Sequence, residues 1–204
     1  SSLPRRDNAI YALAAALGRV AAYRFPVQYN DVTQTSFARS AQLETGPLAA
    51  DVAGAGRGVT TGAAIELLSA VPHLNSDLRT TCVATMLAGG HAENALPQSA
   101  TATVNCRVFP GTSEQAVQRA LVAVVADTTI AVSTVYPMTP SPASPLRPDV
   151  LTAVERTARA FWPDAIIVPH QSAGATDGLY LRNIGVPVYG LSALEIAPEF
   201  DRSH

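Results

Sequence analysis

Two alternating runs separated by a Gly-Gly break and a polar loop, RTTCVATMLAGGHAENALPQSATATVNCRVFPGTS over residues 79–113, constrain this chain more than any other stretch. Cys82, Ala84, Met86 and Ala88 share one parity; Ala100, Ala102, Val104, Cys106 and Val108 share one on the return run. Successive strand residues point to opposite faces, so this spacing predicts a long β-hairpin with one small apolar face that needs helices packed on it. The other parity, Thr81, Val83, Thr85 and Leu87 against Thr101, Thr103, Asn105 and Arg107, is mixed to polar, as on the open face of an antiparallel sheet. In this register Cys82 falls opposite or nearly opposite Cys106, near enough for a disulfide, and buried free thiols fit the small-residue face equally well.

The flanks supply the helices. Asp7 or Asn8 caps a run whose Ile10, Leu13, Leu17 and Val20 recur at helical spacing. Thr112 with Gln115 fits a capping box ahead of Val117, Leu121 and Val124. Between the first helix and the hairpin, 21–78 reads as an insertion: a helix from Asn30 or Asp31 through Phe37, ended by Gly46-Pro47, and a short helix around Ile65, Leu67 and Leu68. Gly54, Gly56, Gly58 and Gly62 mark a flexible stretch between them. After the hairpin, 129–136 alternates as a strand, and the five prolines from Pro137 to Pro148 make a stiff connection. Expected domains are therefore 1–137, a linker at 138–148, and 149–204. The last part has α/β texture: a helix marked by Val150, Leu151, Val154, Ala158 and Phe161, a strand at 165–168, the loop SAGATDG, a short helix ended by Gly185, and a strand at 186–191. The first domain becomes a ferredoxin-like βαββαβ sandwich if one strand lies upstream of Ser1.

Composition excludes some functions. A chain of 204 residues with 48% hydrophobic and 15% charged residues can bury a sizeable core. Net charge is −2, and no Lys/Arg stripe provides the footprint of a nucleic-acid binder. No apolar run is long enough to cross a bilayer, so no membrane role is expected, and the partner is a small molecule or another protein. Two cysteines make neither a disulfide framework nor a zinc spacing, which leaves the compartment undecided. With no initiator Met or leader pattern at Ser1, and a polar cluster running into His204, the chain reads as a piece of a longer one.

The loop Asn94-Ala95-Leu96-Pro97, followed by Asn105-Cys106-Arg107-Val108-Phe109-Pro110-Gly111, resembles the lid, or dimerisation, domain of the co-catalytic zinc exopeptidases. That family includes carboxypeptidase G, succinyl-diaminopimelate desuccinylase, aminoacylase and carnosinase. Gly174-Ala175-Thr176-Asp177-Gly178, with Tyr180 and the run from Gly185 to Gly190, resembles a segment of its catalytic domain. The resemblance implies a homodimeric hydrolase with two Zn ions, acting on a small peptide or an N-acyl amino acid. It implies that Arg107 binds the substrate carboxylate and that Asn94 also faces substrate. Gly174, Ala175 and Thr176 would line the pocket, and His204 matches the family's last metal-ligating histidine. The family's other metal ligands, its general base and its lid histidine would all precede Ser1. No catalytic residue is therefore expected in this piece, which alone should be inactive.

Without the resemblance the same residues have plainer roles. Arg107 is then a solvated strand arginine, Asn94 a turn residue, and Asp177 a helix N-cap. His73, placed in a loop, and His91 and His170, near the recognised loops, are then solvated imidazoles; none forms a closely spaced zinc pair. The rival reading of the whole is a non-catalytic dimerising or amino-acid-binding module with the same sandwich. RNA recognition needs stacked aromatics on central strands, whereas Phe109 and Tyr136 sit near strand ends.

Overall fold

The computed structural model of the protein describes residues 7–191. Asn8 accepts a hydrogen bond from the Ile10 N–H at 2.9 Å and starts α1 (Ala9–Ala22), which buries Leu13, Ala16 and Val20. Asn30 and Thr33 form a reciprocal capping box at the start of α2 (Asp31–Ser40). Then come α3 (Ala49–Gly56), α4 (Ala63–Ser69) and α5 (Pro72–Leu78). Phe37, Val52, Ala55, Ile65, Leu68 and Leu78 interlock as one buried cluster, so the stretch expected to be an insertion carries its own core.

Two expectations fail within this helical layer. Gly54 and Gly56 lie inside α3 rather than in a flexible stretch. A Cβ on Gly56 would come within 2.7 Å of the Ala38 backbone nitrogen, so the missing side chain is what lets α3 lie against α2. His73 lies in the first turn of α5 and not in a loop. Proline is tolerated at a helix start, where its missing N–H has no partner to lose, and Pro72 begins this helix.

The hairpin forms as β1 (Thr81–Gly89) and β2 (Ala100–Arg107), with Thr81 opposite Arg107 and Gly89 opposite Ala100. Cys82 stands directly opposite Cys106, and the two are joined as a disulfide with Cα atoms 4.1 Å apart. A bulge between Ala84 and Met86 then breaks the expected alternation. Beyond it, Leu87 and Gly89 rather than Met86 and Ala88 continue the face that begins with Cys82 and Ala84. Gly89 accordingly lies against Ile10 of α1, where an added Cβ would meet the Ile10 side chain at 3.2 Å.

The second amphipathic helix is α6 (Glu114–Val125), capped by Ser113, whose hydroxyl accepts from the Ala116 N–H at 3.2 Å. Thr112 is not the cap; its hydroxyl donates to Gln28 at 3.0 Å. Ala16, Val20 and Val125 form a smaller cluster with Val104, Leu121, Val124, Ile130 and Val132. The Arg19 guanidinium donates to the carbonyls of Val124 and Val125, supplying partners and positive charge where α6 leaves its last carbonyls free.

The expected strand at 129–136 does not form. Ile130 and Val132 turn inward as the alternation requires, but among the described residues no strand pairs with them, and the Gln118 side chain donates to the Val132 carbonyl instead, at 3.1 Å. Alternation sets sidedness; a ladder also needs a neighbouring backbone. The described sheet is thus two antiparallel strands among helices, a mixed α/β arrangement.

After it, Glu114 anchors the Pro-rich connection by accepting from the Thr134 hydroxyl and the Met138 N–H, both at 2.8 Å. Those bonds hold its carboxyl below the usual range. The chain continues through α7 (Pro148–Phe161) and α8 (Gly178–Asn183). Residues 165–168 and 186–191 form no strand, again contrary to expectation. At the second, the Ser144 hydroxyl stands in for a strand, donating to the Val188 carbonyl at 2.7 Å and accepting from its N–H at 2.9 Å.

Candidate functional site

Arg107 ends β2 opposite Thr81, on the face away from the disulfide. It is exposed, and its side chain has no hydrogen bond or ion pair among the described residues. A guanidinium whose donors are all unspent on an open sheet face can take a carboxylate bidentately. Asn94 lies in the loop at the other end of the hairpin, also exposed, while Pro97 behind it is buried. From Arg107 to Ala100 the strand runs seven residue steps, which is about 23 Å at strand spacing. One chain therefore does not bring Arg107 and Asn94 onto the same small group. Beside the loop, His91 lines an open cavity of about 440 Å³ with Gly89, Gly90, Gln98, Ser99 and Thr101.

Gly174, Ala175 and Thr176 form an exposed loop leading into α8. The Gly174 N–H donates to the Ser172 hydroxyl at 3.1 Å, and the Thr176 carbonyl accepts from the Leu179 N–H at 3.1 Å. Asp177 occupies the N-cap position, yet its side chain makes no capping bond, so the local role expected for it is not fulfilled. Gly178 is buried, and a Cβ there would meet Arg182 at 2.8 Å and Val188 at 3.0 Å, which ties the loop's exit to the turn behind it. His204 lies outside the described residues.

This loop is placed by contacts that spacing and composition did not reveal. Arg39 of α2 donates to Glu155 of α7 at 2.7 Å and to the Ile167 carbonyl at 2.6 Å. Asn30, besides capping α2, donates through its amide to Gln171 at 2.6 Å. Asp77 of α5, only 7% exposed, lies 3.8 Å from Nδ1 of His170. Its Oδ1 is buried without a hydrogen-bond partner. Burial pushes the Asp77 carboxyl above its ordinary range, with His170 and then His73 acting against that shift. The signal for Asp77 was present in the sequence: with Leu74 and Leu78 it falls on an apolar stripe, where an acid is out of place.

Among the described residues no group of three or more His, Cys, Asp or Glu side chains is arranged to hold a metal ion. None of the described helices is long and apolar enough to cross a membrane.

The sequence matches the family described as the peptidase dimerisation domain of M20 peptidases over residues 2–132, and the chain belongs to that family. Over its whole length it is 27% identical to the N-fatty-acyl-amino acid synthase/hydrolase PM20D1 of Homo sapiens, covering 41% of that protein. It is likewise 27% identical to PM20D1 of Xenopus tropicalis, covering 40% of it. It is 28% identical to the Probable carboxypeptidase S-like 2 of Dictyostelium discoideum, over 58% of this chain and 23% of that protein. The chain spans about two fifths of the length of the first of these relatives. No solved structure matches it.

Proposed function

We propose that the parent of this chain is a metal-dependent hydrolase of the amide bond in an N-acyl amino acid or a peptide, and that this chain contributes substrate-carboxylate binding and homodimerisation. The observation that carries the reading is Arg107, exposed and unpartnered on the open face of the hairpin. Both substrate types named for the relatives, N-acyl amino acids and the C-termini cut by carboxypeptidases, present a carboxylate close to the scissile amide. A guanidinium fork suits that group better than an ammonium does.

The separation of Arg107 from Asn94 refines the reading. A carboxylate held by Arg107 is out of reach of the same subunit's Asn94, so we assign Asn94 to the substrate of the other subunit in a homodimer. In this proposal residues 1–137 form the lid, a ferredoxin-like sandwich completed by a further strand, and 149–204 form the C-terminal part of the catalytic domain. Gly174, Ala175 and Thr176 line its pocket. His204 is the one metal ligand this chain would contribute, which metal content of a full-length His204→Ala variant would check.

The deciding experiment is Arg107→Ala in the full-length enzyme. Its bonds to a carboxylate form in ground and transition states alike, so KM should rise more than kcat falls. A charge-assisted hydrogen bond is worth roughly 1.5–3 kcal/mol, or about ten- to hundredfold in kcat/KM. Arg107→Lys should recover only part of this. An amidated substrate should be poor with the wild type and little worsened by the substitution. Equal losses on both substrates would remove the carboxylate assignment and leave Arg107 a structural role.

A further inference from the structure

The helical layer is bonded to two neighbours. Towards the hairpin the bonds are buried: Arg79, only 6% exposed, donates to the Phe25 carbonyl at 3.2 Å and to the Ser69 hydroxyl at 2.8 Å. The Gln28 N–H donates to the Leu78 carbonyl at 2.8 Å, and the Phe109 N–H to the Thr80 hydroxyl at 2.9 Å. Hairpin and helical layer are thus one body. Towards the later segment, one terminal nitrogen of Arg39 serves both the Glu155 carboxylate at 2.7 Å and the Ile167 carbonyl at 2.6 Å, pinning α7 and the run after it together. The Asn30 amide adds a bond to Gln171 at 2.6 Å. Asp77 and His170, at 3.8 Å, are too far apart for a hydrogen bond and add none.

We propose that Arg39, seconded by Asn30, is a clasp that fixes α7 and residues 165–171 to the helical layer, so that the Pro-rich connection does not act as a hinge between them and the hairpin. The connection is the other attachment. Arg182 donates to the Ser141 hydroxyl at 2.6 Å and Asn183 to the Pro140 carbonyl at 2.8 Å, while Glu114 ties the same stretch back to α6 through Thr134 and Met138. A segment held at one place swings about it, and each further anchor removes a direction of swing. The Arg39–Glu155 pair is suited to be that anchor. Its side chains are 26% and 25% exposed, against 50% and 69% for Arg24–Glu66 and 52% and 62% for Arg147–Asp149, so water and salt screen it least of the three. Opening it also leaves a half-buried charge on each side without its partner. The open face that carries Arg107 therefore keeps one orientation relative to the later segment.

The test is the distance distribution between spin labels on the full-length protein, one at Arg119→Cys on α6 and one at Arg156→Cys on α7, both exposed positions. Labelled chains are diluted into unlabelled ones, so that only distances within one chain are read. The otherwise unaltered protein should give a single narrow peak. Arg39→Met with Gln171→Ala removes the clasp while keeping an apolar stem at 39 and the Asn30 cap of α2, and the peak should broaden roughly twofold as the segment gains the mobility usual between weakly joined parts. Glu155→Ala with Gln171→Ala leaves the helical layer untouched and should broaden it less, because the Ile167 carbonyl still holds Arg39. A broad distribution in the parent, or a width equal to the parent's in either variant, overturns the clasp. The clasp does not rest on the carboxylate reading of Arg107, and its readout is a distance and not turnover, so the two succeed or fail separately.

Discussion

Residues 7–132 and residues 138–191 both carry regularly spaced apolar side chains, and among the described residues only the first group buries them. Among the described residues every buried apolar side chain lies at or before Val125. In the later part, α7 buries none of its residues, and Phe161, Trp162, Tyr180, Ile184 and Leu191 stand open to solvent. Yet the stripe of Val150, Leu151, Val154, Ala158 and Phe161 is as regular as the one α1 presents with Leu13, Ala16 and Val20. Periodicity shows that a face is built to be covered; it does not supply the cover. α1 finds α6 and the hairpin, whereas α7 meets the helical layer through an ion pair between Arg39 and Glu155. The first region is held by area removed from water and the second by a few directional bonds, which makes the second the part that can be moved.

The sharpest way to break this comparison is to cut one large side chain from each region. Leu68 is fully buried in the helical layer, so Leu68→Ala should cost about 2–5 kcal/mol in urea unfolding. Leu151→Ala, on the uncovered helix, should cost less than about 1 kcal/mol. Similar losses would mean that α7 has a core of its own.

The next largest effect concerns the hairpin. The Cys82–Cys106 bond closes a loop across a sequence separation of 24, for which chain-entropy reasoning gives about 2–4 kcal/mol. Replacing both cysteines with serine should lower stability by that amount and loosen the exchange of β1 and β2, while leaving 165–177 as it was. If the later segment loosened equally, the two regions would be one cooperative unit.

The smallest effect sharpens the boundary itself. Asp77 has its carboxyl raised in the folded state, chiefly by burial, so ionising it costs folding free energy. That cost is fully present above the folded pKa and vanishes as pH falls through it towards the unfolded value. Asp77→Asn should therefore raise the denaturation midpoint at mildly alkaline pH, with a gain that shrinks on acidification. A variant less stable than wild type at high pH would show that the carboxylate is better paired than its geometry indicates.

Local chemistry was legible in the sequence because its causes lie within a few residues. Asn8 and Asn30 cap the helices they precede, the cysteine parity placed Cys82 opposite Cys106, and helical spacing located α1, α2, α4, α6 and α7. The motif residues Arg107, Asn94 and the Gly174 loop were also visible, because residue type and order survive without coordinates. What they stand next to was not. The bulge after Ala84 exchanges which side chains of β1 face α1, and no alternation pattern announces a single extra residue. Gly56 reads as a break until Ala38 is found against it, and the acid at Asp77 is only an oddity on an apolar stripe until the helical layer is seen to close over it. The distance between Arg107 and Asn94 follows from the hairpin's length, and the meeting of His170 with Asp77 spans 93 positions of sequence. Propensity, capping and parity act over a turn or a strand and are written in the chain. Close approach, burial of charge and the choice of partner depend on which distant surfaces meet, and only the tertiary structure decides that.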